Sequence, residues 1–353
     1  MRITRRRISA LPLLAATAFS LGPAFAEPAS ARNDFLKLID RPRIPLSPRV
    51  ATLPDAAGRL RYSFSFTSDS NQRVPGLILR KESLIGHRFP VVIALHGTGG
   101  NKEGQIPLLE QLASKGFLAV AIDGRYHGER AVERGKPATG TAAYNDAILR
   151  AWRTGEEHPF LYDTVWDIMR LIDYLITRRD VDGSRIGVIG FSKGGMEIYL
   201  AAAVDHRIRV AVPCIGVQSF AWALDNNSWQ SRADTFRPAL EAAAKEAGAP
   251  VDASFLRSFY DRVAPGVYTN FDGPKMLPLI APRPLMTING GTDARTPLPG
   301  LELCLDAARK AYAAAGVPEQ FLPVIEQDVG HRVTPQALAQ GIRWLLTWLQ
   351  PPD

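Results

Sequence analysis

Apolar and polar positions follow two periods along this chain. Residues 60–66 alternate apolar with polar, and residues 74–79 precede a charged turn, so both segments read as strands. A short hairpin-like turn joins them, which predicts an antiparallel opening to a sheet. Residues 90–95, Pro-Val-Val-Ile-Ala-Leu, form a continuous β-branched run suited to a strand buried on both faces. Segments 117–122, 186–189, 208–212 and 285–288 have the same character, and helical spacing fills the gaps, as over 103–115 and 164–178. Strands alternating with helices predict an α/β fold with a mostly parallel sheet covered on both faces.

Residues 216–280 interrupt the alternation. They hold Trp222, Trp229, Phe236, Phe255, Phe259, Tyr260, Tyr268 and Phe271, with a helical stretch over 237–247. We read this segment as a helical insertion forming a lid or cap at the carboxyl edge of the sheet, because connections this long in compact domains are usually functional. The competing reading is a second packing layer with no part in binding. Residues 27–58, rich in Pro, Ala and Arg, are expected to lie as an arm over the surface of a domain spanning 59–353.

The first 26 residues change the picture of charge. Residues 2–7 carry four arginines, 11–26 are largely apolar, and Ala24-Phe25-Ala26 closes the segment. This is the pattern of a cleavable signal peptide, with export to the periplasm or beyond and no stable membrane span after cleavage. A retained anchor is the alternative, disfavoured because the apolar stretch falls short of a ~20-residue span. Thr4-Arg5-Arg6-Arg7-Ile8 also resembles a twin-arginine signal. Cleavage removes four arginines and no acids, so the formal net charge falls from +7 to +3 and a nucleic-acid partner loses its support. Cys214 and Cys304 are the only cysteines and are expected to be buried thiols; without CxxC or a Cys/His cluster no metal is implied, and no cofactor.

The chemistry gathers around Gly190-Phe191-Ser192-Lys193-Gly194, a G-x-S-x-G motif between a strand at 186–189 and a helix-compatible run at 195–203. Such a sharp strand-to-helix turn holds its central residue in strained geometry, and side chains at 190 and 194 would clash. Serine needs a base, and with this turn the acid and then the histidine follow in the chain. Only His206 and His331 follow Ser192. His206 precedes a strand and so falls at the wrong end of the sheet, whereas His331 follows the strand-like segment 321–329. Asp293 leaves the carboxyl end of the strand at 285–288 through Asn289-Gly290-Gly291-Thr292 and is expected to orient the imidazole; Asp328 is its rival. His96-Gly97-Thr98-Gly99-Gly100 follows the buried strand at 90–95, so the N–H groups of Thr98 and Lys193 are the expected oxyanion donors.

These motifs, with Asp123-Gly124-Arg125-Tyr126-His127-Gly128 and Arg185-Ile186-Gly187-Val188-Ile189-Gly190-Phe191-Ser192, resemble the α/β-hydrolase superfamily from about residue 60 onward. Within it they are most similar to the dienelactone hydrolase, acetyl xylan esterase and prolyl-oligopeptidase-like branch. Dienelactone hydrolases usually have cysteine where this chain has Ser192, which points to ester substrates. The resemblance implies a serine esterase that forms an acyl-enzyme and acts on a small-molecule or saccharide-linked ester, and the leader adds the expectation that it is exported. A peptidase or amidase is the nearest alternative, and a non-catalytic binding protein of this fold ranks last. Arg125, His127, Trp222 and Trp229 are candidate substrate contacts, although an Asp123–Arg125 hydrogen-bonded turn is the stronger expectation for Arg125. The Lys193 side chain is expected to snorkel to solvent.

Overall fold

The strand Phe89–Leu95 shows why its sequence carries no polar position. Val91, Ile93 and Leu95 bury into one hydrophobic layer, while Val92 and Ala94 bury into the other. Side chains alternate across a strand, so a continuous apolar run is what two covered faces require.

The computed structural model describes residues 26–54, 58–83, 86–133, 136–137 and 140–351. The expected leader therefore lies, apart from Ala26, outside the described residues. The main sheet contains β1 (Arg49–Leu53), β2 (Arg59–Asp69), β3 (Gln72–Lys81), β4 (Phe89–Leu95), β5 (Leu118–Ile122), β6 (Val181–Phe191), β7 (Ile208–Cys214), β8 (Leu285–Gly290) and β9 (Phe321–Glu326). Their spatial order is β1-β2-β3-β5-β4-β6-β7-β8-β9. The first three strands and the β3–β5 pair are antiparallel, and every later pair is parallel. The chain leaves β4 toward β5 on one side and later returns to β6 on the other. This makes a switch point at the carboxyl ends of β4 and β6, where open α/β sheets collect their ligands.

Helices cover both faces: α1 (Ala26–Ile39), α2 (Ile106–Ser114), α3 (Ala142–Thr154), α4 (Tyr162–Leu175), α5 (Lys193–Val204), α6 (Phe220–Asp225), α7 (Gln230–Ala233), α8 (Arg237–Ala247), α9 (Ala253–Val263), α10 (Gly273–Met276), α11 (Leu298–Ala314) and α12 (Pro335–Leu349). No helix of the described residues is long and apolar enough to cross a membrane.

Two expectations are modified. The segment read as a surface arm contains α1 and the edge strand β1, and α1 is anchored in the core. Phe35 is fully buried, edge-on to Tyr162 and Phe271, and Arg32 donates to the carbonyls of Ala203 and Leu279. The insertion at 216–280 is helical, but much of its aromatic content serves packing. Phe220, Phe236, Phe259 and Tyr260 bury together with Phe160 and leave Trp222, Trp229, Phe255 and Tyr268 half-buried. Asp272 closes the insertion on itself, accepting from Ser219 Oγ and the Phe220 and Ala221 N–H groups at its start.

Candidate active site

Ser192 sits between β6 and α5 with φ +54° and ψ −113°, a backbone conformation that an L-residue adopts only under strain. The neighbours enforce it. The Ser192 N–H donates to the Cys214 carbonyl at 2.9 Å, and its own carbonyl accepts from Met196 N–H. A Cβ on Gly190 would lie 2.4 Å from the Gly194 carbonyl oxygen, and one on Gly194 would lie 2.6 Å from that of His96. Both glycines are therefore required by close backbone approach, as the sequence pattern predicts.

His331 Nε2 lies 2.8 Å from Ser192 Oγ, and its Nδ1 lies 2.7 Å from Asp293 Oδ2. Asp293 is buried. Its Oδ1 accepts from the Arg295 N–H at 2.8 Å, and its Oδ2 also accepts from Thr296 Oγ1 at 2.9 Å. Burial pushes its pKa up, but the contact with His331 and these donors outweigh burial and hold the carboxyl below its usual range. Asp328 is exposed, as is His206. The acid and histidine loops can meet because of two further glycines. Gly291 N–H donates to the Glu326 carbonyl and Thr292 N–H to that of Val329. A Cβ on Gly290 would come within 2.1 Å of the Val329 oxygen, and one on Gly291 within 2.5 Å of the Gln327 oxygen. The sequence shows these glycines but not that their task is to let two loops touch.

The loop after β4 comes close to the serine: a Cβ on Gly97 would sit 3.3 Å from Ser192 Cβ. Among the described residues, no protein acceptor engages the backbone N–H of Thr98 or of Lys193. Lys193 opens α5, so its N–H has no intrahelical partner and faces the positive end of the helix. His96 is held as the Nδ1–H tautomer, donating to the Gly97 carbonyl while Nε2 accepts from the Gly124 N–H. Burial pushes its pKa down to about 4.

Other expected contacts are placed differently. The Lys193 side chain turns inward, pairing with Glu197 beneath the Tyr144 ring. The N-terminal turn of a helix buried on every side gives it no path to water. Asp123 pairs with Lys102 and accepts from Glu129 N–H, so the predicted Asp123–Arg125 turn does not form. Arg125 instead forks onto Asp167 and reaches Asp69 at 2.7 Å; it is buried and charge-paired, with its Nε and Nη2 committed. His127 is buried against His96 and Tyr144, with Nδ1 on the Arg125 carbonyl. Both residues therefore have structural surroundings in place of the expected substrate contact. Trp222 packs over Gly300 at the start of α11, and Trp229 against the core, each half-buried. Cys214 and Cys304 are free and buried.

The family model described as glucuronyl esterase, fungi, matches residues 85–316, more than half of the chain. The chain belongs to the glucuronyl esterase family. It is thus an α/β-hydrolase of the carboxylic-ester hydrolase class. The Bacillus subtilis (strain 168) protein YtaP, which carries a hydrolase name, is 25% identical over 337 residues, covering 91% of this chain and 99% of its own. Among solved structures, the acetyl xylan esterase from Paenibacillus sp. R4 superposes with a TM-score of 0.62 at 23% identity, over 91% of this chain and 92% of its own. The glucuronoyl esterase from Solibacter usitatus gives 0.60 at 15% identity, over 89% and 91%. At these identities the structural likeness speaks for the fold alone. Among the described residues no group of three or more His, Cys, Asp or Glu side chains is arranged to hold a metal ion.

Proposed function

We propose that this esterase uses Ser192 as nucleophile, His331 as general base and acid, and Asp293 as the orienting carboxylate. The observation that carries the reading is the unbroken hydrogen-bonded chain from Ser192 Oγ through His331 to Asp293, at 2.8 and 2.7 Å. In the acylation step Oγ attacks the ester carbonyl carbon while Nε2 takes its proton. The carbonyl oxygen becomes an anion facing the free N–H groups of Thr98 and Lys193. His331 then returns the proton to the departing alcohol oxygen, leaving an acyl-serine. Water, deprotonated by the same nitrogen, attacks the acyl carbon and restores Ser192. Asp293 fixes the Nδ1–H tautomer and stabilises the imidazolium between the two transfers, and each oxyanion donor is worth roughly 10²–10³ in rate.

The proposed substrate is an ester borne by a saccharide, either a sugar-acid ester or an acetyl ester of a xylan-type chain. The family match supports the first, and the name of the Paenibacillus relative in fold suggests the second. The test measures turnover of p-nitrophenyl acetate, a methyl ester of glucuronic acid and acetylated xylan by the wild type and Ser192→Ala. The variant is expected to lose at least about 10⁴-fold in kcat. Hydrolysis surviving within a few-fold would refute the triad, and turnover of the aryl ester alone would refute the saccharide substrate.

We further propose export by the leader at 1–26, supported by its basic start, apolar middle and Ala-Phe-Ala end. If the twin-arginine route is used, Arg5→Lys/Arg6→Lys leaves the precursor in the cytoplasm. Normal export of that variant assigns the general route, and failure of the wild-type leader to carry a reporter out overturns the proposal.

A further inference from the structure

One buried carboxylate beside the candidate site is not accounted for by the triad. Glu197 lies one turn along α5 from Lys193, is 2% exposed, and pairs with the Lys193 ammonium. Taking both charges out of water costs more than pairing alone returns, unless the surroundings supply further contacts. Here they do. The ammonium lies over the Tyr144 ring, 5.4 Å from its centroid, and Tyr144 is fully buried with its hydroxyl donating to the Phe160 carbonyl at 3.3 Å. A Cβ on Gly124 would lie 3.6 Å from Lys193 Nζ and 3.6 Å from His96 Nε2, so ammonium and imidazole pack against the same bare stretch of backbone. The Gly124 N–H donates to that imidazole at 3.0 Å, and the other ring nitrogen, Nδ1, donates to the Gly97 carbonyl at 2.8 Å. A line of contacts therefore runs from Glu197 through the Lys193 side chain, Gly124 and His96 to the peptide that joins Gly97 to Thr98.

We propose that Glu197 is a positioning residue for the esterase: by holding the Lys193 side chain inward, it keeps the two oxyanion donors at a fixed separation. This rests on the reading of Ser192 as nucleophile and of the Thr98 and Lys193 N–H groups as donors. Those donors stand on different backbones, the turn into α5 and the loop after β4. A peptide unit is planar and trans, so its N–H points opposite to its carbonyl. The Gly97 carbonyl, held by His96, thereby aims the Thr98 N–H of the same peptide. Lys193 supplies the second donor from its main chain, while its side chain presses on the anchor of the first. Without Glu197 the ammonium is left in a buried place with no carboxylate, and it must leave that place and withdraw its support. The pair works from behind the hole, where both side chains are buried.

The test compares kcat, KM and affinity for phenylboronic acid in the wild type, Glu197→Met, Glu197→Gln and the double variant Lys193→Met/Glu197→Met. Boron takes Ser192 Oγ to give a tetrahedral anion, so the boronate reads the oxyanion hole without turnover. Every variant keeps the N–H of residue 193. Glu197→Met is expected to lower kcat about 10–100-fold, the effect of a donor displaced but not lost, with KM within about threefold and boronate affinity falling in step with kcat/KM. Glu197→Gln keeps an oxygen for the ammonium and recovers to within about fivefold of wild type. The double variant removes the unpaired charge that Glu197→Met leaves behind, and it is expected to stay impaired. A folded double variant within about twofold of wild type in kcat and boronate affinity makes the pair a packing device and overturns the proposal. If the double variant does not fold, Tyr144→Phe, which keeps the ring under the ammonium, is compared with Tyr144→Leu; equal kcat in these two overturns it as well. An inactive Ser192→Ala beside an unimpaired double variant sinks only this inference, while an active Ser192→Ala sinks the nucleophile reading and this inference together.

Discussion

His96 and His127 lie side by side behind Ser192, their ring centroids 5.2 Å apart, and the Tyr144 ring lies tilted against the second at 4.7 Å. Burial, with the nearby Lys193 charge adding to it, pushes the pKa of His96 to about 4 and that of His127 well below its ordinary value. In the unfolded chain both titrate near 6.5. Below that pH the unfolded state takes up protons that the native state refuses, so native stability falls as pH drops from about 6.5 toward 4. The slope is about 1.4 kcal/mol per pH unit for each histidine. Urea unfolding between pH 7 and 4.5 checks this, and His127→Phe is expected to flatten the slope; an equally steep profile in that variant would contradict the assignment. Lys193 shows the same economy of charge. It is neutralised by Glu197, whose own pKa burial raises despite the lysine, so the ammonium sits behind the site without standing alone.

Elements differ in how openly the sequence declares them. The two-faced strands β4 and β5 were legible because each is a run with no polar residue, and Arg237–Ala247 was legible because its apolar face repeats at helical spacing. β1 was not, since Arg49–Leu53 is an exposed edge strand that answers only to its neighbour β2. α1 escaped because Ala31, Phe35 and Ile39 mark one buried face in an otherwise polar stretch. The candidate catalytic constellation was readable where a motif is local. The serine turn carries its glycines within five residues, and Asp293 and His331 each sit in the loop that follows a strand. Pairings were not readable. Arg125 chose Asp167 and Asp123 chose Lys102 across gaps that only the folded chain closes. The aromatic insertion read as a lid because composition alone cannot separate rings that line a pocket from rings that pack on Phe160.

Across the whole molecule, the N-terminal helix ties distant parts together. Phe35 fits between Tyr162 of α4 and Phe271 near the end of the insertion, and Arg32 bridges the end of α5 to the turn before β8. Deleting that ring removes burial at a junction of three segments, so Phe35→Ala is expected to cost about 3–5 kcal/mol. Chemical unfolding measures it, and a loss under about 1 kcal/mol would show that α1 is peripheral. The same interlocking bears on Ser192. Its left-handed backbone is imposed from outside, by β4, α5 and the end of β7, and strain of this kind typically weighs about 1–3 kcal/mol against the fold. Glycine would sit at that position without strain, and every other neighbour could stay where it is. Exchanging Ser192 for glycine is therefore expected to stabilise the fold. On the triad reading proposed above, serine at this one position sets turnover against stability.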